Sequence, residues 1–230
     1  MKSRAVRLWL AAWRAVAMAA CLAGSASSAL AQPPGAAPAP AEVVQPPAEK
    51  SAGIGEIAQF LAGGALGLGI HEGGHLLFGT MLDADPGLKP VHFGPIPFFA
   101  ITHDDASPAR EYAIAASGFW MQHASSEWLL TRRPGLRGEH APVAKGVLAF
   151  NVGASAAYAA AAFGRFGPYE RDTRAMADAL GVAEPWVGAM ILAPAVLDAW
   201  RYVKPDARWA AWLSRAAKVG SVVLVVRAAR

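Results

Sequence analysis

"LAGGALGLGIHEGGHLLFGTML", residues 61–82, is the stretch on which the reading of the whole chain turns. It is apolar almost throughout, so a helix built from it would have no broad face suited to water, yet it carries two histidines and a glutamate within five residues. In α-helical geometry His71 and His75 lie one turn apart, and both imidazoles project from the same face, where they can hold one metal ion. Glu72 stands about 100° round the helix and can reach a water on that ion. Zinc held by three protein groups, with a fourth position open, brings the pKa of its water toward ~7, and a nearby carboxylate can then take the proton as the water attacks a carbonyl. The competing reading is a chance match to His-Glu-x-x-His in a chain with six histidines.

Outward from this stretch, apolar segments recur four times, over Ile54 to Leu82, Tyr112 to Leu130, Val143 to Phe163 and Trp186 to Val203. Each approaches the ~20 residues that a helix needs to cross a bilayer's hydrocarbon. Buried helices of an alanine-rich soluble domain would look similar, because alanine is weakly apolar and the mean hydropathy is only +0.28. Two features favour lipid. Gly63, Gly67, Gly69 and Gly73 provide the small-residue spacing that lets helices approach closely in a membrane, whereas each would weaken a helix in water. Trp186 and Trp200 bracket the fourth segment as an interfacial belt would. Between the first two segments, "VHFGPIPFFAIT" (91–102) mixes aromatic and β-branched residues with Pro95 and Pro97, a composition for short edge strands or a hairpin. The expected fold is therefore an all-α membrane protein of about four transmembrane helices, with a short β hairpin or edge strands between the first two. The segments 131–145 and 164–185 are charged and rich in turn formers, and read as loops.

The ends of the chain are of another kind. Lys2, Arg4, Arg7 and Arg14, the apolar run "AVAMAACLAG" (15–24) and "ALA" before Gln32 read as an export signal over 1–31. That segment holds four of the 21 basic residues and none of the 17 acidic ones, so the remainder is formally neutral and its charge gives no reason to expect nucleic acid. Cys21, the single cysteine, excludes an intramolecular disulfide; it is also a candidate for lipidation. Residues 32–50 are rich in proline and alanine and read as a disordered tether. One helical domain is expected over 51–205 and a basic, amphipathic or membrane-associated tail over 206–230. The expected location is a bacterial inner membrane with an exported N-terminus. Orientation stays open, because positive-inside counting places the tail in the cytoplasm and a cleaved signal followed by four spans places it outside.

Within the four segments, away from their ends and Glu56, the ionisable residues are His71, Glu72, His75, His123, Glu127 and Asp198. Charges at membrane depth cost ~2.5 kcal/mol or more, so they are expected to pair, to bind an ion or to line a cavity. A third zinc ligand is needed. Asp198 is one choice, with ion pairing to Arg201 at i,i+3 as its ordinary alternative. His123 and Glu127, four apart on one helical face, are the other, with a hydrogen-bonded polar face as theirs.

The order of these features resembles the site-2 protease family of intramembrane zinc metalloproteases. "GIHEGGHLLFG" is similar to that family's membrane-embedded zinc helix, "VHFGPIPFF" to its short sheet, "YAIAASGFWMQ" to its small-residue motif with Gly118 kept, and "LAPAVLDAWR" to its Leu-Asp-Gly motif. The resemblance implies Zn2+ bound by His71, His75 and Asp198, Glu72 as the base, and a membrane protein or peptide as substrate, held as a strand beside the sheet. It departs from the family at Phe119, Gln122 and Ala199, which stand in place of proline, asparagine and glycine. Gln122 or His123 would then be the oxyanion donor. Two other readings remain at this point: an exported, membrane-tethered zinc peptidase with Glu127 or His123 as third ligand, and a non-catalytic helical membrane protein.

Overall fold

The computed structural model describes residues 53–93 and 96–228. The export signal expected over 1–31, with Cys21, and the tether over 32–50 lie outside the described residues. The chain runs α1 (Ile54–Met81), β1 (Gly87–Phe93), β2 (Ile96–Thr102), α2 (Pro108–Arg132), α3 (Pro142–Gly164), α4 (Asp172–Leu180), α5 (Glu184–Val203) and α6 (Arg208–Ala228). The four apolar segments are thus α1, α2, α3 and α5, with boundaries close to those expected.

Local chemistry sets the ends of these helices. Pro108, Pro142 and Pro185 lie in the first turns of α2, α3 and α5, where a missing N–H costs nothing. Helix α4 stops at Gly181, whose φ of 63° is a left-handed conformation that glycine adopts without strain. Strands β1 and β2 form a two-stranded antiparallel hairpin, with Leu88 opposite Ile101 and Pro90 opposite Phe99. Two strands alone leave an outer edge on each, which is why a segment so rich in proline can be a sheet at all.

Helix α2 is the centre of the bundle, since it packs against every other helix. Its apolar side contributes Tyr112, Ala116 and Phe119 to a core completed by Met176, Val187 and Ile191. Its other buried side is polar and holds Ser117, Gln122, His123 and Ser126. Helix α1 crosses α3 at glycine on both sides: a methyl group added at Gly63 would strike the Val143 carbonyl, and one at Gly146 the Phe60 carbonyl. Gly67 meets the Phe150 ring, and Gly74 lies over the Ser117 carbonyl of α2. Of the four glycines expected at contacts, Gly63 and Gly67 are there, whereas Gly69 and Gly73 face open space.

Among the described residues, α3 is the one helix that is by itself long and apolar enough to cross a bilayer; α4 and α5, bent by 117° at their junction, would together make a second. The final helix, within the region read as a tail, is continuous over 21 residues and packs on α5 and α2, where Tyr112 donates its hydroxyl to the Ser221 carbonyl at 2.7 Å.

Candidate metal centre

His71 and His75 lie on the buried face of α1, as their spacing requires, with 2 % and 5 % of their surface exposed. Their Nε2 atoms are 3.2 Å apart. Each ring is oriented from behind. His75 donates Nδ1–H to the Ile114 carbonyl of α2 at 2.9 Å, and His71 Nδ1 bonds Gln122 Oε1. The Gln122 amide has its own direction fixed, because its nitrogen donates to the Asn151 carbonyl at 2.9 Å and to Ser155 Oγ at 3.4 Å, which leaves its oxygen for His71. Both imidazoles therefore carry a proton on Nδ1 and turn Nε2 to one point, the arrangement by which outer hydrogen bonds prepare histidine for a metal.

The third group at that point is Asp172, the first residue of α4. Its Oδ2 is 3.3 Å from His71 Nε2 and 3.5 Å from His75 Nε2. Ligand atoms of the three residues all lie within 4.8 Å of one another, so His71, His75 and Asp172 can hold a metal ion. The donor set fits: two imidazole nitrogens and one carboxylate oxygen suit a divalent ion such as zinc, and they leave a coordination position over. Burial works against the Asp172 carboxylate, but the His75 and His71 imidazoles outweigh it and hold its carboxyl well below the usual range. The start of α4 is clamped by Arg171, which grips the Glu184 carboxylate with two bonds of 2.6 Å and donates to the Pro168 carbonyl, while Thr173 donates to the same carboxylate at 2.7 Å.

The space at position 118, in "YAIAASGFWMQ", admits glycine alone. A Cβ there would come within 2.5 Å of His75 Nε2 and 2.8 Å of His71 Nε2. Gly118→Ala is expected to push the two rings off their shared point and to weaken metal affinity at least as much as removing an outer hydrogen bond, by about 10–100-fold, without unfolding the bundle. Competition with a chromophoric chelator measures it, and unchanged affinity would show that the rings have room to spare.

Asp198, the third ligand implied by the resemblance, stands elsewhere. It is 1 % exposed and accepts from Ser214 at 2.7 Å and Arg201 at 3.2 Å, and pairs with Lys218 at 2.8 Å. With two cations on it, it has its countercharge already, and Asp172 takes the place beside the histidines. Glu127, an alternative third ligand, belongs to the same ionic group, bonded to Arg201, Arg215 and Lys218. His123, the other alternative, is buried on α2 with no hydrogen-bond partner at Nε2. Gln122 has both its N–H bonds committed to α3, so it orients His71 and has none to offer an oxyanion. Glu72 lines a cavity that opens against His71, His75 and Asp172.

Asp172 had no mark in the sequence, being one acid among several in a segment read as a loop. Comparison of the chain with protein-family models, with curated proteins and with solved structures finds no match in any of the three. The family is not established by likeness.

Proposed function

We propose that the protein is a membrane-embedded zinc endopeptidase that hydrolyses a peptide bond of a membrane protein or peptide in or next to the bilayer. One observation carries the reading: two imidazole Nε2 atoms and the Asp172 carboxylate converge on the wall of a cavity of about 360 Å3 that also holds Glu72 and is flanked by β2. The rest of the wall is apolar, with Leu68, Phe150 and Phe166 on the helical side and Phe99 and Ile101 on the sheet side.

Each part has work to do in hydrolysis. The outer edge of a two-stranded sheet offers unpaired N–H and C=O groups, so an extended peptide can add to β2 as a further strand and lay its carbonyl carbon beside Glu72. A zinc ion bound by the three ligands would polarise that carbonyl and acidify the attacking water. The Glu72 carboxylate takes a proton from that water as its oxygen bonds to carbon, then returns it to the departing nitrogen as the C–N bond breaks, leaving a carboxylate and an amine. His71 and His75 stay oriented throughout by Gln122 and Ile114. The order of an HExxH helix, a hairpin and a small-residue helix supports kinship with site-2 proteases, though the third ligand would come from a different place in the chain.

The exterior supports a membrane setting. Ile57, Leu61, Leu76 and Leu77 of α1 and Trp212 and Val223 of α6 point outward and exposed, an apolar surface suited to acyl chains.

Full-length protein purified in detergent is expected to contain one equivalent of zinc and to cleave quenched fluorescent peptides with leucine, alanine or phenylalanine around the central bond, with activity lost to a chelator and restored by zinc. It is expected to stay in the membrane pellet after alkaline extraction even when the chain is cut after residue 50. Release into solution would overturn the embedding, and a metal-free, inactive protein that zinc does not activate would overturn the enzyme.

A further inference from the structure

Peptide hydrolysis leaves a negative oxygen on the former carbonyl, and here that charge would develop between two carboxylates, Glu72 and Asp172. A neutral hydrogen-bond donor at that spot is worth far more than in water, since the cavity is apolar. The polar side chains that line it are His71, Glu72, His75, Tyr158, Glu170, Arg171 and Asp172. Most can be set aside. Glu72, Glu170 and Asp172 only accept when ionised. The N–H groups of His71 and His75 are directed away, to Gln122 and Ile114. Arg171 directs three of its five N–H groups to Glu184 and Pro168, and the Glu184 carboxylate neutralises its charge.

Tyr158 is the neutral side chain with a donor to offer among the described residues of the wall. It lies on the face of α3 that carries Ala154, Ala157 and Ala161, whose small side chains leave its ring open to the cavity. The ring is fixed from two sides: its centroid is 5.8 Å from that of His71 and 5.0 Å from that of Phe119, the latter edge-on. Its hydroxyl faces the Asp172 carboxylate. A phenol O–H turns freely about its C–O bond, so a donor beside Asp172 can turn to a new oxyanion without moving the ring.

We propose that Tyr158 donates the hydrogen bond that stabilises the oxyanion formed at this centre. The inference rests on the endopeptidase reading and adds to it a catalytic residue that neither the sequence motif nor the resemblance pointed to.

Tyr158→Phe in the full-length, zinc-loaded protein tests it, because only an oxygen is removed. Cleavage of the quenched peptides is expected to fall about 10²–10³-fold in kcat, as for loss of one oxyanion donor, with KM within about threefold of wild type, as expected for an interaction confined to the transition state. A phosphinic analogue of the same peptide, whose tetrahedral anionic group imitates the intermediate, should lose affinity by a similar factor in calorimetry. The zinc content should stay at one equivalent. If Tyr158→Phe keeps wild-type kcat and phosphinate affinity, the inference is overturned and the endopeptidase stands. If instead zinc content drops in step with activity, Tyr158 merely positions Asp172 and the inference is again overturned. If the wild type itself neither cleaves nor binds the phosphinate, the endopeptidase reading falls and takes this one with it.

Discussion

Asp172→Ala is expected to empty the metal centre, while Asp198→Asn leaves it loaded and destabilises the bundle. Removing an outer partner of a ligand costs about 10–100-fold in metal affinity, and removing one of three ligands should exceed that range, so the Asp172 variant should leave detergent purification with far less than one equivalent of zinc. Its fold should survive, because the start of α4 is held by the Arg171–Glu184 clamp rather than by Asp172 itself. Asp198 is the opposite case. It is buried against Arg201 and Lys218, and neutralising it leaves those cations to share Glu127. Breaking a buried pair costs about 3–5 kcal/mol, visible as a lowered thermal midpoint. Zinc analysis and melting of the two variants side by side would separate the roles. Zinc loss in Asp198→Asn with zinc retained in Asp172→Ala would reverse the assignment.

Glu72→Gln should do neither of these things and yet abolish turnover. The amide keeps the size of the carboxylate, and Glu72 is not one of the three convergent ligands, so one equivalent of zinc should remain. What goes is the acceptor for the water's proton and the later donor to the leaving nitrogen. Positioned acid–base catalysis contributes about 10²–10⁴-fold; with both transfers lost, a fall near the top of that range is expected in kcat of the quenched-peptide assay. A variant that turns over within tenfold of wild type would show that another group moves the proton.

Much of this could be read from the sequence, and the reasons are particular. The long helices were legible because each is a long, predominantly apolar segment flanked by turn-forming residues, and the pairing of His71 with His75 followed from the helical repeat alone. The hairpin was legible by composition, although β1 begins at Gly87, earlier than its aromatic residues suggested. The third member of the metal centre was not legible. Helix α4 has only nine residues, begins beside Arg171 and carries four polar side chains among them, so it looks like loop, and nothing local distinguishes Asp172 from Glu170 or Asp178. Only the fold of α3 back onto α1 brings it to the histidines. Asp198 drew attention by standing alone in an apolar segment; its partners Ser214 and Lys218 lie in the final helix, and the pairing with Arg201 that spacing allowed is the one observed. Tyr158 was invisible for a similar reason, since a tyrosine among alanines says nothing until the cavity around it exists.

The ionic group between α2, α5 and α6 also bears on how the chain is made. A polypeptide grows from its N-terminus, so Glu127 and Asp198 are in place while Lys218 and Arg215 are still to be synthesised. Until those last residues emerge, two carboxylates have Arg201 as their one established countercharge in this group. The nascent bundle therefore cannot close over them cheaply and should stay loose until α6 has been made and has docked.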